Sequence, residues 1–216
     1  GKLLGDDDAW ETGNHEARKL ILAELRSSNP AEAIPLLEAA FPEENANNRE
    51  GLLRLLETGL SLQDAPFLEA QLSDKSKKVK EAAMLLLRQL RGGRIQQILL
   101  DFVRRALVIK EERYMVFAKR KVLEIDRNAM PQADFFDCLI TKVSSQKGVS
   151  DVVYWLAQAM ESVHPDDWMV ALGLAPADLL EKLRGLDEDG VLMQHLLRGT
   201  IKSRHQGLAL AFLAAN

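Results

Sequence analysis

The sequence predicts an all-α fold of stacked, antiparallel helix pairs, and three observations support this. Leucine and alanine dominate the apolar residues while aromatic residues make up only 6% of the chain, a composition that favours helix over sheet. Residues 33–39 (AIPLLEA) return as residues 64–70 (DAPFLEA), a step of 31 residues. The same step joins Arg18, Arg49 and Lys80, each followed by an aliphatic run. Repeats of this length are typical of helical units that bury their apolar faces against one another.

Helix start and stop signals divide the chain into eleven predicted helices. Asn29-Pro30 places a capping side chain before a proline at the first helical position. Ser73-Asp74 precedes another helix, which stops at Gly92-Gly93. The predicted helices span residues 14–27, 30–41, 46–59, 62–72, 75–91, 94–109, 150–162, 165–172, 176–185, 189–200 and 204–214.

Two prolines share one place in the repeat, Pro35 and Pro66. A proline inside a helix removes a hydrogen bond and bends the helix, or else it starts one. We therefore expect a shared bend at both positions. The unit that holds Arg18 lacks a first helix, so we also expect the native protein to extend further upstream.

Residues 110–149 interrupt the helical pattern. Within them, residues 114–125 fit alternation about as well as helical periodicity, so they are predicted either as a short extended segment or as the tail of the preceding helix. The chain is thus divided into an N-terminal repeat array (1–109), an irregular connecting segment (110–149) and a C-terminal helical half (150–216).

The turn and helix around Asp74 resemble part of a HEAT repeat. The pattern is Leu72-x-Asp74-x4-Val79-Lys80-x-Ala82-Ala83-x2-Leu86, and the similarity extends over residues 14–91. It implies that an acid in the turn and a basic residue early in the second helix connect neighbouring units. It also implies a HEAT-like α-α superhelix of antiparallel helix pairs, with the irregular insertion near 110–149.

The order of elements further resembles a family of uncharacterised bacterial HEAT-like proteins. The shared features are residues 66–69 (PFLE), the helix at 74–87, the helix around Trp155 and the turn at 164–168 (HPDDW). Members of that family tend to be encoded near MoxR-type AAA+ ATPases and von Willebrand factor A proteins. The resemblance therefore implies an adaptor whose partner belongs to an AAA+ ATPase-associated complex.

Charge is distributed unevenly, with a net −8 over residues 1–73, +8 over 74–127 and −4 over 128–216. Two interpretations stay open. The basic block is either an electrostatic footprint for phosphates or an acidic protein, or a set of solvated helix faces that acidic neighbours partly neutralise. Under the first interpretation, the predicted basic patch comprises Lys77, Lys80, Arg88, Arg104 and Arg105.

The sequence contains no GxSxG, Walker A or GxGxxG motif, and its histidines lack the spacing of a zinc helix. His164 precedes a proline at a helix start and is predicted to cap that helix. The single cysteine, Cys138, lies in an apolar stretch and is predicted to be a buried structural thiol. Trp155 follows Val152-Val153, and Trp168 precedes Met169-Val170, so both tryptophans are predicted to pack in the core. We therefore expect no catalytic residue, no metal and no cofactor.

These observations predict a non-enzymatic scaffold or adaptor that binds a protein partner. A single cysteine suits a reducing compartment, so a cytoplasmic location is predicted, and no apolar run approaches the ~18–20 residues of a membrane span. The alternative is nucleic-acid binding through residues 75–121, as in HEAT-like DNA-binding or DNA-repair proteins. A repair enzyme would need a carboxylate and aromatic side chains along the basic groove; Asp101 is suitably placed, but no aromatic pair clearly accompanies it.

Overall fold

The computed structural model describes residue 10, residues 14–115 and residues 118–215. The chain divides into two compact units, Gly1–Gly93 and Arg94–Asn216. The described residues of the first unit contain α1 (His15–Ser28), α2 (Pro30–Ala40), α3 (Ala46–Leu55), α4 (Ala65–Gln71) and α5 (Lys77–Leu87). Those of the second contain α6 (Arg94–Ala106), β1 (Leu107–Met115), β2 (Ala118–Ile125), α7 (Asp151–Ser162), α8 (Pro165–Leu172), α9 (Pro176–Arg184), α10 (Val191–Ser203) and α11 (Gln206–Ala214). All eleven predicted helices are therefore present, several of them shorter than predicted.

Asparagine side chains cap two helices of the first unit. Asn14 accepts a hydrogen bond from Ala17 N at 3.0 Å, and Asn45 caps α3 in the same way. Asn29, the predicted cap of α2, makes no such bond, and Pro30 follows it at the start of the helix. The backbone carbonyl of Asn29, not its side chain, accepts a hydrogen bond from Glu32 N at 3.1 Å, so α2 begins without a side-chain cap.

Three helices, α1, α3 and α5, carry Arg18, Arg49 and Lys80 and pack in succession, α1 against α3 and α3 against α5. Arg18 Nη1 lies 2.8 Å from Glu44 Oε1, and Arg49 Nη2 lies 3.0 Å from Asp74 Oδ1. Each acid precedes the next of these helices along the chain. The 31-residue step from Arg18 to Arg49 therefore corresponds to an ion pair that occurs twice, each time with an acid that precedes the next helix.

The expected shared bend at Pro35 and Pro66 is wrong. Pro35 lies inside α2, which runs continuously from Pro30 to Ala40. Pro66 lies in the first turn of α4, after a separate 3₁₀ turn at Leu62–Asp64. A proline in a first turn breaks no intrahelical hydrogen bond, whereas one inside the helix removes a donor. The two prolines, 31 residues apart, therefore have different effects: Pro66 lies at the start of α4, whereas Pro35 removes a hydrogen-bond donor inside α2.

The second unit contains a β-hairpin, so the all-α prediction needs correction: the fold is mostly helical with one two-stranded sheet. β1 pairs antiparallel with β2, with Leu107 opposite Ile125 and Glu112 opposite Arg120. For residues 114–125, the extended alternative is confirmed wherever the chain is described; residues 116 and 117 lie outside the described part. The helix predicted at 94–109 ends at Ala106, because the next three residues already belong to β1.

The core of the second unit is centred on α6 and α7. Phe102 of α6 and Phe135 are both 0% exposed, and their ring centroids lie 4.6 Å apart. α7 packs against α6 and α10, and α9 packs against α10 and α11. Residues 126–149, within the predicted irregular segment, form loops with one 3₁₀ turn at Phe136–Cys138.

Gly199 allows α10 to approach α7 closely. A Cβ atom added at Gly199 would lie 3.0 Å from Met160 O and 3.1 Å from Glu161 Cα, both backbone atoms of α7. We expect Gly199→Ala to lower the free energy of unfolding by about 1–2 kcal/mol, because the overlap outweighs the better helix propensity of alanine.

Gly51 in α3 provides a matched control for this substitution. A Cβ atom added there meets only His15 Nε2, at 3.8 Å. Gly51→Ala should therefore stabilise the protein by up to about 1 kcal/mol. Urea unfolding of both variants tests this, and equal effects at the two glycines would contradict the close approach.

Candidate functional site

The five residues of the predicted basic patch are divided between the two units. Lys77 and Lys80 lie on α5, and Arg88 is the C-cap of that helix. Arg104 and Arg105 lie in the last turn of α6, in the second unit. The patch as predicted is therefore two sets, of three and two residues.

The contacts of the two sets differ. Lys77 and Lys80 are exposed, and Lys77 Nζ lies 3.5 Å from Glu81 on the next turn of α5. In contrast, Arg104 donates a hydrogen bond to Asp167 O at 2.9 Å, and Arg105 donates to the carbonyl oxygens of Asp101 and Met130. The two arginines thus position local backbone, while the lysines face solvent.

A groove of about 660 Å³ opens on the first unit. The nearly buried rings of Phe41 and Phe67 form part of its wall and meet edge to face, with centroids 5.3 Å apart. Pro42, Pro66 and Ala70 add exposed apolar surface. The remaining lining residues are polar or charged: Glu38, Arg49, Gln71, Ser73, Asp74 and Lys75.

Arg49 connects the apolar and charged parts of the groove. Its guanidinium carbon lies 5.9 Å from the centroid of the Phe41 ring, while Nη2 pairs with Asp74. Burial tends to raise the pKa of Asp74, but hydrogen bonds from Ser76 N–H and Arg49 outweigh it, so this pKa is lowered. Arg49 Nε is buried and has no hydrogen-bond partner among the described residues.

The groove therefore offers an apolar wall together with two acidic residues, Glu38 and Asp74, and two basic residues, Arg49 and Lys75. Such a surface suits a polypeptide segment, which carries both side chains and backbone carbonyls. Arg49 and Asp74 stood out in the sequence as members of the repeat, but nothing there indicated a groove beside them. Phe41 lies outside the repeated heptapeptide, so no pattern marked it.

Other residues singled out in the sequence have structural roles. His164 Nδ1 accepts a hydrogen bond from Asp166 N at 3.3 Å and caps α8, as predicted. Cys138 and Trp168 are each 1% exposed, which confirms their predicted burial. Trp155 is only half-buried, and its Nε1 donates a hydrogen bond to Lys142 O at 2.7 Å. Asp101 accepts a hydrogen bond from Gln132 at 3.4 Å.

Neither a metal centre nor a membrane span is found in the part of the chain that the structure describes. No group of three or more histidine, cysteine, aspartate or glutamate side chains is arranged there to bind a metal ion. Among the same residues, every helix is too short or too polar to cross a bilayer.

Comparison with known proteins gives one match. A family of unknown function, DUF5691, has a family model that matches residues 2–216. No curated protein and no solved structure matches the chain.

Proposed function

The chain belongs to this family of unknown function, and from its geometry we propose a non-enzymatic helical-repeat module, HEAT-like in its superhelical arrangement, that binds a segment of a partner protein. The groove beside Phe41 and Phe67 carries the proposal. It lies between successive repeat units, where stacked helical pairs commonly offer binding surface.

Charge around the groove suggests the chemistry of the bound segment. Lys75 lines the groove, and Lys77, Lys78 and Lys80 follow it with exposed side chains. Their positive field favours a segment that presents an apolar side chain next to acidic residues. In line with the resemblance noted above, a component of an AAA+ ATPase-associated complex is the partner we propose to test first.

Ala70→Arg is the substitution that tests the groove. Ala70 is exposed and lines the groove, so a long cationic side chain there should obstruct the bound segment without disturbing the core. We expect this variant to lose most of the partner protein that the wild-type chain captures from a lysate of its native organism, measured by mass spectrometry. A loss of about tenfold or more corresponds to one well-placed apolar contact with the partner.

Ala39→Arg is the matched control. Ala39 is exposed, occupies the same position in the preceding repeat and does not line the groove. The Ala39→Arg variant should capture the same amount of partner protein as the wild type. If both variants keep the partner, or both lose it equally, the groove is not the binding site.

The exposed lysines of α5 also favour a second candidate, nucleic-acid binding through the basic region at 75–121. A duplex bound mainly through its phosphates should be retained at ~50 mM salt and released as salt rises. The double variant Lys77→Glu, Lys80→Glu should then bind duplex DNA much more weakly. This candidate is rejected if the wild type does not bind duplex DNA. It is also rejected if DNA affinity is unchanged both in this double variant and in a variant with the charges of Arg104 and Arg105 reversed.

A further inference from the structure

The second unit contains a separate apolar pocket of about 400 Å³. Val103, Leu107 and Trp168 are almost completely buried and line it together with the half-buried Val108, Ile109 and Leu172. Arg104 and Ala171 are the exposed residues of the lining. Its volume lies within the range of sites that bind small molecules.

Trp168 is the aromatic residue of this pocket's lining. Its side chain is 1% exposed, and its Nε1 has no hydrogen-bond partner among the described residues. A buried tryptophan N–H normally finds an acceptor, because leaving it unpaired costs free energy. Because this N–H is enclosed by protein atoms, the indole ring is what Trp168 offers to a ligand.

Arg104 supplies a positive charge at the same pocket. The hydrogen bond from its Nη2 to Asp167 O holds the guanidinium beside α8, one residue from Trp168. This bond uses one of five N–H donors, and no other partner of Arg104 is found in the described part of the chain. A guanidinium with free donors is well suited to a carboxylate.

We propose that this pocket binds a small amphipathic carboxylic acid, with its apolar body against Trp168, Val103 and Leu107 and its carboxylate at Arg104. A neutral apolar molecule would fill the pocket but leave the remaining N–H donors of Arg104 without an acceptor. A highly charged ligand would pair with Arg104 but would make few contacts with the apolar lining. This proposal does not depend on the groove of the first unit.

Decanoate is a suitable probe, and the indole N–H resonances report its position. We expect decanoate to bind with saturation and to move the Trp168 indole resonance, identified with Trp168→Phe, while those of Trp10 and Trp155 stay in place. Arg104→Gln should weaken decanoate binding by about tenfold or more, since a charge-assisted hydrogen bond is lost. Decan-1-ol should bind more weakly than decanoate and respond little to that substitution.

Arg105→Gln is the matched control, because Arg105 is the next residue on α6, donates to Asp101 O and Met130 O, and does not line the pocket. It should leave decanoate affinity unchanged within about twofold. The proposal is overturned if decanoate, up to its solubility limit, leaves the Trp168 resonance unmoved. Equal weakening by the two arginine substitutions, or equal affinity for decanoate and decan-1-ol, also overturns it.

Discussion

Asp64→Ala is expected to destabilise the first unit by about 3–5 kcal/mol, because it leaves the buried guanidinium of Arg26 without its counter-charge. The Arg26 side chain is 0% exposed and that of Asp64 is 3% exposed. Nη1 and Nη2 each donate to one carboxylate oxygen at 2.9 Å. A loss of this size is a large fraction of the total stability of a typical domain.

Arg26 also binds the backbone of the surrounding turns. It donates to Thr58 O at 2.8 Å, to Leu56 O at 3.0 Å and to Pro30 O at 3.2 Å. Asp64 in turn accepts from Ser61 N at 2.8 Å. Arg26→Lys should therefore also be strongly destabilising, because an ammonium keeps the charge but cannot make this set of planar contacts.

The measurement is urea unfolding, together with hydrogen exchange resolved by peptide, which should show the loss in the helices of the first unit. Arg54→Ala provides the control. Arg54 pairs with Glu50 on the same helix, but its side chain is 67% exposed. This surface pair should contribute less than about 1 kcal/mol. If Asp64→Ala costs no more than Arg54→Ala, the buried pair does not have the proposed role.

The second large effect is expected at Glu161, which joins α7 to α10. Its Oε2 lies 2.7 Å from His195 Nδ1, and its other oxygen contacts Lys202 Nζ. The hydrogen bond from His195 contributes most to lowering the pKa of Glu161 from 4.5 to about 2. The hydrogen bond from Lys202 and the positive charges of Lys202 and His195 lower it further, although burial opposes this. At about 1.4 kcal/mol per pH unit, this lowering corresponds to roughly 3 kcal/mol of stabilisation at neutral pH.

The direction of the pH effect follows from the lowered pKa. Folding favours the ionised carboxylate, so the stabilisation is complete above about pH 5 and is lost as the pH falls towards about 2. Glu161→Gln should cost on the order of 2–3 kcal/mol near neutral pH and progressively less as the solution is acidified. Urea unfolding at about pH 7, 5 and 3 measures this.

Glu181→Gln serves as the comparison for Glu161→Gln. Glu181 is an exposed glutamate on α9, and its substitution should change stability by no more than about 0.5 kcal/mol at each pH. If Glu161→Gln remains equally costly at about pH 3 and pH 7, its contribution does not come from the ionised carboxylate.

Features that depend on neighbouring residues in the chain were predicted well from the sequence. The helix at 165–172 was predicted with the bounds observed, because His164 and Pro165 mark its start. Local signals were less reliable where two outcomes satisfy them: alternation in residues 114–125 suited strand and helix alike, and only pairing with β1 decided the outcome. A strand needs a partner, and the partner is not encoded in its own residues.

The sequence by itself determined where the helices lie and that Arg18, Arg49 and Lys80 recur at one step, since capping, periodicity and repetition are local properties. Only the tertiary structure decided that Arg26 binds Asp64, 38 residues away, that Phe41 and Phe67 flank a groove, and that Trp168 lines a pocket with Arg104. The physical reason is that burial and charge pairing are set by the side chains that packing brings together. The Arg26–Asp64 pair illustrates this, because one repeat earlier Ala33 stands where Asp64 does, and no repeated pattern could indicate it.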